Sequence, residues 1–177
     1  MHPAPELTTA RLRLLAMPAD ALQAWIDGDA AGLYELTGVR FQEPVEAPPL
    51  LGEDLGMLLE RTDQGPEELG WWVWLVSRLA DEAALGVCGL GGRPDDEGTV
   101  VLGYSVYPRY EGNGVATESA TALVEWVLGQ EGVARVVATV PTWNEASVAV
   151  ARKLGMAQTG TATDPDVGPV AVYERRR

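Results

Sequence analysis

Between Gly103 and Gln130 the chain reads GYSVYPRYEGNGVATESATALVEWVLGQ, and its periodicity changes in the middle of that segment. Val100 to Tyr107 is rich in β-branched and aromatic residues, the composition of a strand, and Pro108 stops it. From Ala120 onward, Ala120, Leu123, Val124, Val127 and Leu128 fall at i, i+3, i+4, i+7 and i+8, one face of a helix. Gly129 is placed as its C-terminal stop. Strand, glycine turn and helix in that order restrict the chain to α/β architectures. The turn itself is Glu111-Gly112-Asn113-Gly114-Val115-Ala116-Thr117. Its glycines and alanine remove side chains that would keep a ligand from the backbone. The first helical N–H groups lack intrahelical acceptors and carry the positive end of the helix dipole, so the turn suits an anion such as a phosphate.

The glycines alone are equally those of a plain tight turn. No Lys follows them, so the segment is not a G-x-x-x-x-G-K-[ST] phosphate loop, and it lacks the G-x-G-x-x-G spacing of a dinucleotide fingerprint. Both observations argue against a nucleoside triphosphatase and a dinucleotide dehydrogenase.

The rest of the chain reads as one domain over residues 1–177. Arg11 to Ala16 alternates and predicts an edge strand, and Pro18 and Asp20 open a helix over Ala21 to Asp27. Residues 30–65 predict two short helices broken by the proline-bearing stretch Glu43 to Pro49. Trp71 to Leu79 and Leu85 to Gly91 are strand candidates, with an acidic hairpin turn from Arg93 to Gly98. Strands at Ala134 to Val140, Met156 to Thr161 and Val170 to Arg175 follow, with a helix over Asn144 to Leu154. The sum is an α/β fold with a mixed central β-sheet flanked by helices.

A net charge of −13 argues against nucleic acid as a partner and is compatible with a cationic substrate such as an amine. No apolar run approaches a membrane span, and the N-terminal segment lacks the pattern of a signal peptide. With one cysteine, Cys88, no internal disulfide is available, and the expected location is the cytoplasm. Cys88 sits in an apolar strand and reads as a buried thiol. His2, the only histidine, falls in a tail expected to be disordered, so a Ser-His-Asp triad or a zinc site has no raw material. Alternation places Trp72 and Trp74 on one side of their strand and Trp71 on the other, in a core-packing role. The closing Arg175-Arg176-Arg177 reads as a solvated tail.

A second constellation lies in PTWNEASVAVARKLGM. Asn144 is placed to cap the following helix, and Ser147 lies one turn later on the same face. Alone this is an ordinary capping sequence. It follows the glycine turn and its helix by one strand, however, and ends in Lys153-Leu154-Gly155-Met156. With the opening Thr9-Ala10-Arg11-Leu12-Arg13-Leu14 and the strand Leu102-Gly103-Tyr104-Ser105-Val106, the chain resembles the GNAT acetyltransferase superfamily. The branch it is most similar to is that of the ribosomal-protein N-terminal acetyltransferases.

The resemblance implies an acetyl-coenzyme A-dependent N-acetyltransferase that moves an acetyl group directly to a primary amine, a protein N-terminus or a small amine. Backbone amides of Gly112, Asn113, Gly114, Val115, Ala116 and Thr117 would hold the pyrophosphate, and Asn144 would hydrogen-bond the cofactor. The strand through Val106 would pair with the pantetheine arm in a splayed gap before the strand at Ala134. Ser147 would protonate or stabilise the departing thiolate. No metal, nucleic acid or membrane is implied, and a homodimer is admitted. Two departures stand out: Glu111 replaces the usual Arg or Gln before the first glycine, and is expected to point into solvent or pair with Arg109. Val101 replaces a glutamate that often serves as base, leaving Glu43, Glu46 or a water chain. They are also what a non-catalytic acyl-coenzyme A-binding module would carry.

Overall fold

The computed structural model describes residues 4–49 and 51–177; His2 lies outside them. Eight strands form one sheet in the order β1-β2-β3-β4-β5-β6-β8-β7. β1 (Glu6–Thr8), β2 (Leu12–Ala16), β3 (Val73–Arg78), β4 (Ala84–Leu90) and β5 (Thr99–Val106) pair antiparallel in sequence order. β6 (Arg135–Pro141) runs parallel to β5, while β7 (Ala157–Asp164) and β8 (Gly168–Arg176) close the far end antiparallel. The sheet is therefore mixed, as expected. Among the described residues, no helix is long and apolar enough to cross a membrane.

Helices α1 (Ala19–Ile26), α2 (Ala30–Thr37) and α3 (Leu55–Thr62) precede β3. α4 (Val115–Leu128) and α5 (Glu145–Lys153) flank β6 in sequence. Strand alternation distributes the apolar side chains between two cores. Leu12, Leu14, Trp74, Val76, Val100 and Leu102 join Leu123, Val124 and Val127 of α4 in one. Val73, Leu75 and Val87 join Leu22, Trp25, Leu33 and Leu58 of the first three helices in the other. The helical stripe read from Ala120 to Leu128 is buried throughout, and each buried aliphatic side chain contributes about 1.5–3 kcal/mol. α4 opens at Val115, so the last three residues read as turn are already helical.

Three expectations need correction. β2 is not an edge strand, because the three-residue β1 pairs along its outer side from Glu6↔Leu15 to Thr8↔Arg13. Trp72 does not share a side with Trp74. β3 begins only at Val73, and the preceding bend releases Trp71 and Trp72 from alternation. Trp72 packs on the second core, while Trp71 and Trp74 meet Trp126 with ring centroids 6.0 and 5.0 Å away. Arg175 and Arg176 are strand residues and not a tail, and Arg175 Nη1 donates to the Leu154 carbonyl at 3.1 Å.

One polar cluster ties the first strands to the start of α4. Glu118 accepts from Thr9 Oγ1 at 2.6 Å, from the Arg11 backbone N–H at 3.1 Å and from Arg11 Nε at 2.7 Å. Partial burial works against ionisation of Glu118, but these bonds outweigh it and hold the carboxyl below its usual range. Its stabilisation is therefore fully present above the unfolded carboxylate pKa and is lost as pH falls through the lowered folded value. Glu118→Gln is expected to destabilise the fold at neutral pH by roughly 1–2 kcal/mol. In thermal unfolding the gap from the parent protein should close in acid; an equal gap at neutral and acid pH would contradict the assignment.

Candidate functional site

After β5 the chain makes a short 3-10 turn at Pro108–Tyr110 and then the glycine turn. Gly112 and Gly114 have φ of 73° and 77°, the left-handed region that a side chain disfavours. Space around a would-be Gly112 Cβ is empty to 4 Å. Asn113 Nδ2 donates to the carbonyls of Tyr110 and Glu111 at 3.2 and 3.0 Å and so closes the turn on itself. Arg11 Nη2 donates to the Asn113 carbonyl at 3.1 Å and braces it from the bend between β1 and β2. Gly114 is the N-cap of α4 and offers no side-chain acceptor. Glu118 donates its N–H to the Gly114 carbonyl; among the described residues the amides of Val115, Ala116 and Thr117 have no acceptor. Three amides and the positive end of a 14-residue helix thus open on one exposed turn.

Glu111 is exposed and, among the described residues, forms no ion pair. Of the two orientations expected for it, solvent is the one observed. Arg109 instead stacks its guanidinium over the rings of Tyr107 and Tyr110, at 5.8 and 4.7 Å.

The second feature is a parting of strands. β5 and β6 pair only at Thr99↔Arg135, Val100↔Val136 and Val101↔Val137. Beyond that point β5 stays with β4 as far as Val106↔Gly86, and β6 stays with β8 as far as Pro141↔Val170. The two strands are parallel, so the gap widens toward their carboxyl ends, where the glycine turn leaves β5. A cavity of about 400 Å³ fills the parting, lined by residues 102–105 of β5 and 138–141 of β6. Val106 ends β5 opposite Gly86 and lies outside this lining, as does the glycine turn.

Asn144 and Ser147 both line the cavity. Asn144 caps α5, its Oδ1 accepting from the Ser147 N–H at 3.0 Å. With that oxygen engaged, the amide NH₂ of Asn144 is left without a protein acceptor among the described residues. The Ser147 carbonyl accepts from the Tyr104 hydroxyl at 3.1 Å, a bond that spans the parting from β5 to α5. The Ser147 backbone is thereby held at both ends. Its hydroxyl lies beside the Tyr104 hydroxyl and accepts or donates no other side-chain or backbone bond among the described residues. Burial raises the Tyr104 hydroxyl above its ordinary pKa, which keeps it a donor. Sequence periodicity gave no sign of this role for Tyr104, because its partner lies on a helix far along the chain.

Cys88 also borders the cavity, but burial pushes its thiol up to about 12, so it is no nucleophile at neutral pH. Val101 is half-exposed at the point of parting. Glu43 and Glu46, expected on the acceptor side, line a separate cavity of about 300 Å³ with Tyr107 and Arg109. The backbone of that loop is pinned to β5 by Ser105 Oγ donating to the Pro49 carbonyl and by the Tyr107 hydroxyl donating to the Glu46 carbonyl at 2.6 Å. Among the described residues, the one charged side chain lining the larger cavity is Asp54, at the start of α3.

Comparison with known proteins agrees with this geometry. The model of the acetyltransferase (GNAT) domain matches residues 21–157. YkkB of Bacillus subtilis, itself uncharacterised, is 29% identical over 181 residues, covering 99% of this chain and 98% of YkkB. The uncharacterised N-acetyltransferase YjdG of the same organism is 28% identical over 86 residues, 49% of this chain and 51% of YjdG. Among solved structures, RimL, the ribosomal L7/L12 alpha-N-protein acetyltransferase in complex with coenzyme A, shares the fold with a TM-score of 0.67. It is 18% identical and the match covers 97% of this chain and 98% of RimL. The ribosomal-protein-S5-alanine acetyltransferase of Vibrio fischeri aligns with a TM-score of 0.68 at 13% identity, over 97% and 96% of the two chains. The matching model spans well over half of the sequence, and the chain belongs to the GNAT acetyltransferase family.

Proposed function

We propose that the protein transfers the acetyl group of acetyl-coenzyme A directly to a primary amine. Membership of the family supports acyl transfer over a non-catalytic binding module. The observation that carries the reading is the coincidence of three acceptorless helix amides with the wide end of a parallel strand pair that has come apart. Amides of residues 112–117 suit the pyrophosphate, and the unpaired inner edges of β5 and β6 suit the amide groups of the pantetheine arm. Each edge carries backbone donors and acceptors that need partners where they are shielded from water. Asn144 offers its NH₂ to the same arm. Glu111, turned to solvent, does not place a carboxylate against the phosphates.

In the reaction the neutral amine attacks the acetyl carbonyl carbon, a C–N bond forms and the C–S bond breaks. Ser147 gives its hydroxyl proton to the departing thiolate, and the proton shed by the new amide nitrogen restores it. Thiolate is already a good leaving group, so a serine suffices, provided that its position is fixed. The bonds from Asn144 and Tyr104 fix it. Among the described residues the cavity holds no histidine and Val101 offers no base; its one carboxylate, Asp54, is exposed to solvent, so we infer that the amine passes its first proton to water before attack.

Ser147→Ala is expected to lower turnover by roughly 10²-fold, measured as free thiol released, while coenzyme A still raises the midpoint of thermal unfolding as in the parent protein. An unchanged rate would remove Ser147 from the chemistry. The pH dependence of kcat/KM should follow the acceptor, rising tenfold per pH unit until the amine is neutral. Replacing a basic alkylamine by the weakly basic trifluoroethylamine should move the inflection down with the amine. An inflection that stays put would instead reveal a base on the enzyme.

A further inference from the structure

The large cavity continues through the parting to the side of α3, and its character there differs from the surface around it. Eight large apolar side chains of the described residues are conspicuously exposed, and Met57, Val101, Trp143 and Val167 among them all line this one cavity. Trp143 is the most exposed of the eight, at 66%. Clustered apolar exposure of this kind marks a binding surface, whereas single exposed side chains do not. Trp72 joins them from below.

Both tryptophans offer ring surface and little else. Trp143 Nε1 donates to the Val167 carbonyl at 3.3 Å, and Trp72 Nε1 donates to Glu68 Oε2 at 3.0 Å. Their polar edges are already engaged by the protein. The charge in the lining is a single carboxylate, Asp54, whose side chain makes no capping bond to α3 and no ion pair among the described residues. That carboxylate is placed to meet the acceptor nitrogen as it arrives charged, before it gives up its proton, and so leaves none for a second ammonium. A second cationic group on the same molecule would be taken from water into apolar surroundings without a partner. The net charge of −13 draws cations toward the molecule generally, so selection among amines falls to the lining.

We propose that the acceptor is a monoamine whose nitrogen is carried on an apolar chain or ring, and that Trp143, Met57 and Val167 bind that apolar part. The proposal rests on the acetyl-transfer reading and narrows it, setting polyamines and aminoglycosides aside as poor acceptors. The shared chemistry can come from a free alkylamine or from a peptide N-terminus with an apolar first residue.

The test is the rate of thiol release from acetyl-coenzyme A with n-alkylamines from propylamine to hexylamine, with putrescine, and with leucyl-glycyl-glycine against triglycine. Each methylene taken into the cavity should raise kcat/KM about fourfold. Putrescine, which carries an ammonium where pentylamine carries a methyl, should fall at least about tenfold below pentylamine. Trp143→Ala, at an exposed position that does not threaten the fold, should flatten the series. A rise confined to the alkylamines or to the leucyl peptide supports the proposal and names the source. Thiol release with no dependence on chain length, or with putrescine as good as pentylamine, overturns it and leaves acetyl transfer standing. No thiol release with any amine overturns both.

Discussion

Three residue pairs join the two halves of the sheet, and the site follows from how abruptly that junction ends. β6 is held along its full length by β8, and β5 is held by β4 from Leu102 to Val106, beyond the three pairs it makes with β6. The twist of each half carries the strands apart once Val101↔Val137 is passed. Closing the gap would satisfy more backbone hydrogen bonds, yet the fold keeps it open. Tyr104 reaches from β5 to the Ser147 carbonyl of α5 and so ties the two sides of the parting together. The same bond holds the Ser147 backbone in place.

The two helix starts that meet this gap are finished in opposite ways. α5 is satisfied from within by Asn144, as α2 is by Asp29. α4 begins on a glycine and leaves its first amides without acceptors. Omitting a cap forgoes about 1 kcal/mol of helix stability, a loss offset by burial of the Leu123, Val124 and Val127 stripe. Glu118 and Arg11 brace the open end without covering it: Glu118 fastens the helix to the first strands, and Arg11 also grips the Asn113 carbonyl. The result is a braced turn that leaves three backbone donors without acceptors among the described residues, the feature on which the proposed diphosphate site rests.

Much of this architecture was legible in the sequence, because its signals are local. The strand composition before Pro108, the i, i+3, i+4 stripe after the turn, and the Asn144 cap each lie within a dozen residues. Failures came where an element is too short or a contact too distant. β1 has three residues and no readable period, so β2 looked like an edge. Trp72 was placed by an alternation that starts one residue after it. The parting of β5 from β6, the Tyr104 bridge and the convergence of Met57, Trp143 and Val167 on one cavity depend on register between segments remote in the chain. No local pattern encodes them, so the lining proposed for the acceptor is not legible in the sequence.

The central claim is that the backbone amides at the start of α4 bind the diphosphate of coenzyme A while the strand gap takes the pantetheine arm. Backbone amide NMR during titration with coenzyme A, and separately with pantetheine, tests it residue by residue. Coenzyme A is expected to move the amide resonances of residues 112–117 most strongly, together with those of residues 102–105 and 138–140. Pantetheine, lacking the diphosphate, should move only the strand residues. Perturbation of residues 112–117 by pantetheine alone, or their silence in saturating coenzyme A, would contradict the account.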